Sequence, residues 1–440
     1  MTGPAPRSEL AAHWPLIPTA CVGIICSAFV LPYYTVGALL VPVTDEFGWS
    51  RAQFQAAILF SSGLGAATSP LVGWLNDRYG SRRVALPAMI GVGLGFLLAS
   101  TMDARLWTLF LAYGAMALLG AGTIPVTWTR SIANTFFQHR GLALGLALAG
   151  TGLCAAVMPH YAVFLTDRFG WRAAYVGLAL MPLLLALPVL FLFFRPREAG
   201  DAQSATSKAL ETGMTLREAS SGYRFWVVLA SILFAYMGFS GIGPNLLPSM
   251  TDDGYTREQA AGVQSVFGVS IIIGRIVVGF LIDRLWAPGV AAVCLLLPAL
   301  GTVIFHGEQS LFMAQCASFL IGFAAGAELD LMAFLVARYF GLRHYAKIYA
   351  VLYATLAVCS GTAPMLFATV FDFTGSYDLG FLVATGLFVL AAIAVLTLGR
   401  YPQAYAHGSE GLTFTLDETE SAFTTAVTTT GDTVAPNNDK

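Results

Sequence analysis

Hydrophobic positions in this 440-residue chain neither alternate nor follow the three-and-four spacing of an amphipathic surface helix. They come in long runs. Twelve runs of about 20 residues or more fill the chain from Trp14 to about Gly399, separated by short polar segments. A helix rising 1.5 Å per residue needs about 20 apolar residues to cross the hydrocarbon core of a bilayer. Lipid offers the backbone no hydrogen-bonding partner, so a run that crosses it must be helical. The runs predict spans over 16–42, 51–76, 83–102, 106–135, 140–166, 171–194, 225–250, 257–284, 288–306, 310–338, 343–371 and 376–399, numbered 1 to 12 below. Their ends are good to about ±3 residues.

Composition agrees with the pattern. Hydrophobic residues make up 57% of the chain and charged residues 11%. That is too little charge to coat a water-facing surface and enough for a lipid-facing one. The expected fold class is an all-α polytopic membrane protein with 12 transmembrane helices. Residues 1–13 are only weakly basic, and the first apolar run is too long for the core of a cleavable signal.

The placement of charge orients the chain. With the N-terminus inside, the inside loops hold Arg78, Arg82, Arg83, Arg140, Arg195, Arg197, Lys208, Arg217, Arg224, Arg284, Arg338, Arg343 and Lys347. The outside loops hold only Arg51, Arg105, Arg168, Arg172 and Arg257. Positive residues collect on the cytoplasmic side, so both termini are expected in the cytoplasm. The expected location is the plasma membrane, in a bacterium the inner membrane. Topology accounts for the basic loops, and no nucleic-acid partner is implied. The six cysteines lie inside spans at spacings that fit neither zinc nor a redox pair, and read as small packing residues.

The chain divides into residues 1–194, an N-terminal six-helix bundle; 195–224, a polar cytoplasmic linker; 225–400, a C-terminal six-helix bundle; and 401–440, a Thr-rich acidic tail too poor in large aliphatics to order itself. The halves repeat. GWLNDRYG (73–80) between spans 2 and 3 returns as GFLIDRLW (279–286) between spans 8 and 9, offset by 206. Phe136-Phe137, Arg140 and Ala143 after span 4 return as Tyr339-Phe340, Arg343 and Ala346 after span 10, offset by 203. Internal repeats build many secondary transporters, with the substrate site between them near the midplane.

In the loop Gly73-x-x-x-Asp77-Arg78-x-Gly80-x-Arg82-Arg83, Gly73 suits a close helix approach and Gly80 a tight turn. Asp77 can pair with an Arg or cap a neighbouring helix, and Arg82 and Arg83 anchor span 3. The loop resembles the signature of the major facilitator superfamily, and with the twelve spans and the 6+6 division the resemblance covers nearly the whole chain. It implies two pseudo-symmetric six-helix bundles rocking about a central cavity. These residues then read as a conformational latch between the bundles. The second copy keeps Gly279, Asp283 and Arg284 but lacks the later Gly and Arg pair, so the latch is expected to be asymmetric.

A narrower resemblance rests on GRIVVGFLIDR in span 8, FFQHRGLALGLALAGTG after span 4 and ARYFGLRHYAKIYAVLY after span 10. These are similar to the monocarboxylate porters and the bacterial oxalate–formate-type antiporters, where an Arg in span 8 is associated with binding the substrate carboxylate. Arg275 holds the matching position. The chain departs from both types: no Lys or Arg lies between Trp14 and Val43, and Lys347 sits near the mouth of span 11 and not deep within it.

Charged side chains inside a membrane are costly and face a cavity or a partner. Arg275 lies about 18 residues into span 8, and Glu328 and Asp330 about 18 and 20 residues into span 10. Both spans run the same way, so the three share a depth. Span 11 runs the other way and brings Tyr353 near that level. Glu328 and Asp330 are about 200° apart around their helix, and the sequence leaves open which meets the cavity. Arg275 reads either as an anion clamp or as a structural partner of one of the two carboxylates. Both carboxylates are candidates for proton coupling. Further substrate-binding candidates are Tyr33 and Tyr34 in span 1, and Tyr113 and Arg130 in span 4.

The sequence reading is thus a non-enzymatic secondary transporter of small organic anions, monocarboxylate-type, either proton-coupled or anion-exchanging. Its partners are a small carboxylate, protons and the lipid bilayer, and the transport unit is expected to be a monomer. The alternative is proton-coupled efflux of a hydrophobic compound or metabolite; span 5 lacks the Gly-Pro that marks that type. The histidines are scattered, and no phosphate-cradling Gly-Lys-Ser/Thr loop is present. No cofactor or metal is expected, and the driving force is a gradient.

Overall fold

The structure is a computed structural model that describes residues 13–136, 140–195, 213–282, 284–307, 309–341 and 344–401. Most of the interior linker, Asp283, Arg343 and the tail beyond Tyr401 lie outside the described residues. No strand occurs among the described residues, and ten helical stretches are long and apolar enough to cross a membrane.

Ten becomes twelve on two grounds. The stretch Gly141–Phe193 has 53 residues, far more than the ~20 that one crossing takes. It folds back at Gly170, whose φ of 82° no other residue type adopts readily, giving spans 5 and 6. Span 4 is built in two pieces, Leu106–Leu119 and Pro125–Thr135, joined by a short 3₁₀ turn over Ala121–Thr123. The other spans are Leu16–Phe47, Arg51–Tyr79, Ser81–Ser100, Tyr223–Asp252, Arg257–Ile282, Ala287–Ile304, Leu311–Phe340, Tyr345–Thr374 and Asp378–Leu396. Local chemistry explains several ends. A reciprocal capping box between Ser50 and Gln53 starts span 2. Gly80, at φ 79°, turns the chain from span 2 into span 3 with no loop at all.

Two interruptions were invisible in the hydrophobic pattern. Span 1 breaks between Ile25 and Val30, and span 4 between Leu119 and Pro125. Pro125 has no N–H and crowds the carbonyl four residues back, so the helix stops and restarts with Pro in its first turn. The two breaks satisfy each other. The N–H of Ala28 donates to Thr123 Oγ1 at 3.0 Å, and Trp128 Nε1 donates to Thr123 O at 2.8 Å.

Packing follows the repeat. Spans 2 and 4 pack as 8 and 10 do, 1 and 5 as 7 and 11 do, and 3 and 6 as 9 and 12 do. Between the halves, span 2 lies along span 11, span 5 along span 8, and span 1 against span 7. The fold is therefore two pseudo-symmetric six-helix bundles.

The halves interlock toward the face opposite the termini, the face that carries Arg51. Arg51 at the start of span 2 pairs with Asp252 at the end of span 7. Its N–H and that of Ala52 both donate to the Asp372 carboxylate of span 11, at 3.1 and 2.9 Å. The Arg51 guanidinium also stacks 3.7 Å from the Phe371 ring centre. On the other seam, Arg257 is 3.0 Å from Asp167 and donates to Ala38 O at 2.6 Å. Near mid-membrane, Gly152 and Gly268 bring spans 5 and 8 into backbone contact, and Gly361 packs on Leu59. Toward the terminal face, a Cβ placed at Gly73, Gly141, Gly145 or Gly279 would meet nothing within 4 Å.

Candidate functional site

The site begins with glycine. A Cβ at Gly274 of span 8 would come 1.9 Å from Phe323 O, and one at Gly326 of span 10 would come 2.1 Å from Ile271 O. Gly322 is pressed in the same way against Ser270 and Phe267. Such small faces let membrane helices meet backbone to backbone. Arg275 follows Gly274, and Asp330 lies one turn beyond Gly326, so the seam sets them side by side. Arg275 Nε is 3.7 Å from Asp330 Oδ2 and donates a long bond of 3.4 Å to Gly326 O. Arg275 Nη1 is buried and has no hydrogen-bond partner. The Arg275 side chain is 10% exposed and that of Asp330 36% exposed. Of the two carboxylates, Asp330 is thus the one beside Arg275. Glu328 points the other way, into a cavity inside the C-terminal half.

Tyrosines surround this pair. The rings of Tyr33 and Tyr34 meet edge to face at 5.1 Å, and Tyr33 OH donates to Ser240 O across the two halves at 3.3 Å. Tyr34 lies within electrostatic range of Arg275. Tyr236 of span 7 lies within range of Tyr33, Tyr34, Tyr353 and Glu328. On span 11, Tyr345, Tyr349 and Tyr353 stack at four-residue intervals, with centroids 5.5 and 6.2 Å apart, leading from the terminal face toward mid-membrane. Tyr349 is within range of Asp330. The structure therefore gathers Arg275, Asp330, Tyr33, Tyr34 and Tyr353, with Tyr236 and Tyr349 alongside them.

Two residues of span 4 stand elsewhere. Tyr113 is fully buried in the N-terminal core, its hydroxyl shared with Tyr175 at 3.3 Å. Arg130 pairs with Asp77 of span 2, inside the same half. Asn76 reinforces that join by donating to Thr127 Oγ1 at 2.9 Å. The other motif residues also make contacts within their own half: Arg78 lies over Trp74 and Tyr79, and Arg82 donates to Phe191 O at 2.5 Å. Arg83 is exposed. In the second copy Arg284 stacks 3.5 Å from the Phe280 ring centre. Gly73 has open space beside it and not the close helix neighbour that its residue type suggests.

The Arg51 face carries a second polar assembly. Behind the Arg51 pairs, Asn245 Oδ1 accepts from Gln55 Nε2 and from Tyr377 OH, each at 3.3 Å, joining spans 2, 7 and 12. Asn245 Nδ2 donates to Pro364 O of span 11 at 3.1 Å. On the span 5–span 8 seam, Ser265 Oγ meets His160 Nδ1 at 2.9 Å. Next to Asp252, partial burial and then the charges of Asp378 and Asp252 push the Asp253 carboxyl up to about 6. The signal in the sequence was Arg51 at the start of span 2 together with Asp252 and Asp372 at the ends of spans 7 and 11, on the face poor in positive charge.

Comparison with known proteins agrees with this architecture. The family model described as Major Facilitator Superfamily matches residues 20–305 and 228–429, and the chain belongs to that family. It is 26% identical to rat monocarboxylate transporter 12 over 347 residues, covering 70% of this chain and 71% of that one. It is 28% identical to bovine monocarboxylate transporter 13 over 394 residues, covering 83% and 87%. It is 25% identical over 309 residues to the uncharacterized transporter YhjX of Escherichia coli K12, covering 69% and 75%. Among solved structures, a bacterial homologue of the human lysosomal transporter Spinster, inward-facing and unoccupied, superposes with a TM-score of 0.64. It covers 92% of this chain and 98% of its own at 18% identity, which speaks for the fold alone.

Proposed function

We propose that this chain carries small organic anions of the monocarboxylate class across the membrane by alternating access, coupled to protons or to a counter-moving anion. The observation that carries the reading is Arg275: a buried guanidinium deep in span 8, within electrostatic range of Tyr34 from the other half, loosely held by Asp330, with Nη1 unpartnered. A guanidinium offers a carboxylate two parallel donors and keeps its charge when buried. Tyr33, Tyr34 and Tyr353 supply hydroxyls on its approaches. The names of the relatives, several of them monocarboxylate transporters, point the same way. By the positive-inside rule the terminal face is cytoplasmic, so the conformation described here is closed outside. The Arg51 and Arg257 pairs form the outer gate, and the Asp77 loop belongs to the inner one. The membrane is the plasma membrane, which in a bacterium is the inner one.

Reconstitution tests this. Protein in liposomes is expected to take up radiolabelled lactate, pyruvate or formate above empty vesicles, and cells expressing it are expected to gain no resistance to hydrophobic toxic compounds. Resistance without carboxylate uptake would favour export of a hydrophobic compound.

A further inference from the structure

We infer that Glu328, together with Ser231, forms a separate proton-binding site in a hydrated cavity inside the C-terminal half, distinct from the anion site at Arg275. The inference builds on the transport reading only for its coupling role; the existence of the site does not depend on that reading. Glu328 of span 10 is 9% exposed. Its Oε1 has no hydrogen-bond partner, and neither does Ser231 Oγ of span 7. Both line the same cavity, whose remaining wall is mostly apolar and includes Phe239, Leu331 and Leu335. Orphaned polar atoms in a buried space are rare and call for an unseen partner.

The cavity has room for that partner. It offers about 50 Å³ to water centres, against the ~10–15 Å³ that one water needs. Water held between the carboxyl and the serine hydroxyl, the two polar groups in an otherwise apolar wall, can therefore partner both. The remaining neighbours decide what the carboxyl carries. Those that face it are Tyr236 on span 7, Tyr33 on span 1 and Cys359 on span 11, with Cys294 on the cavity wall from span 9. None is a cation. Arg275 is held by Asp330 on the other side of span 10. An isolated buried carboxylate without a counter-charge is unstable and takes up a proton instead.

Position makes this more than a packing accident. Tyr236 is within range of Glu328 and also of Tyr33, Tyr34 and Tyr353 around the anion site. A proton delivered from bulk hydronium to the Glu328 carboxylate, leaving water behind, can be held in one half while the substrate anion rests on Arg275, and both are released when the halves rearrange. The cargo is then one proton and one anion per cycle, with no bond made or broken beyond that O–H.

Infrared spectroscopy of the protein in liposomes at neutral pH reads the site directly. A C=O stretch of a protonated carboxyl is expected in wild type and in Asp330→Asn, absent in Glu328→Gln, and shifted in Ser231→Ala, which leaves the carboxyl in place. A band that survives Glu328→Gln, or a wild type without one, overturns the site. For coupling, Glu328→Gln is expected to keep lactate counterflow close to wild type while pH-gradient-driven lactate uptake falls about tenfold. Undiminished pH-driven uptake, or equal loss of both activities, overturns the coupling role. If wild type moves none of lactate, pyruvate or formate, the anion reading fails, and the infrared band still decides the proton site.

Discussion

Arg275 and Asp330 meet across a seam of glycines, Nε to Oδ2 at 3.7 Å, one from span 8 and one from span 10. The distance fits an ion pair but not a tight charge-assisted hydrogen bond. The pair holds the guanidinium in position without consuming all its donors, since Nη1 stays free. The geometry depends on the seam, because a wider spacing of spans 8 and 10 would pull the pair apart.

The first expectation concerns that seam. Gly326→Ala places a methyl 2.1 Å from Ile271 O, a backbone atom that cannot swing aside. Overpacking of this kind costs about 1–3 kcal/mol. The thermal midpoint of the purified variant in detergent should fall by several degrees. Gly73→Ala, with open space beside it, should leave the midpoint unchanged or raise it, since Ala favours helix over Gly by up to about 1 kcal/mol.

The second concerns the latch. Asp77 holds Arg130 within one half, far from Arg275 in sequence and on a different pair of spans. Asp77→Asn should slow lactate exchange while leaving the equilibrium affinity for lactate within a few-fold. Loss of binding in a folded variant would place the loop in the substrate site.

The third concerns the outer gate and pH. The Asp253 carboxyl titrates at about 6 in this conformation, against an ordinary 3.8. A carboxyl raised in one conformation binds its proton more tightly there. Acidification from above pH 6 toward 3.8 should therefore favour the state closed at the Arg51 face, and pH above 6 should disfavour it. Spin labels at Arg105 and Glu258, on opposite halves, should show the short-distance population growing as pH falls through this window. Asp253→Asn should flatten the response.

The count and direction of the spans were legible in the sequence because lipid imposes long apolar runs. So was the depth shared by Arg275, Glu328, Asp330 and Tyr353, which needs only helical rise. Gly322, Gly326 and Asp330 follow at four-residue steps and so share one face of span 10, but nothing in the sequence says that span 8 lies against that face. That choice is made by packing between distant segments, and it decides that Asp330 and not Glu328 stands beside Arg275. The same holds for Arg130 and Tyr113: their partners Asp77 and Tyr175 are set by tertiary packing. The break at Gly120–Ile124 has a local sign in Pro125, while the break at Cys26–Phe29 has none, because Thr123 on another span stabilises it.

The most direct test of the anion site is lactate binding to purified Arg275→Lys, measured by calorimetry beside wild type and Arg275→Gln. Lys keeps the charge and loses the planar fork. Breaking a buried, hydrogen-bonded charge contact costs about 2–5 kcal/mol, which at about 1.4 kcal/mol per decade is well over tenfold in Kd. The account expects that loss in Arg275→Lys and no restoration of binding in the doubly neutral Arg275→Gln/Asp330→Asn variant. Wild-type affinity in Arg275→Lys, or recovery of binding in the double variant, would make Arg275 a structural partner of Asp330 and contradict the account.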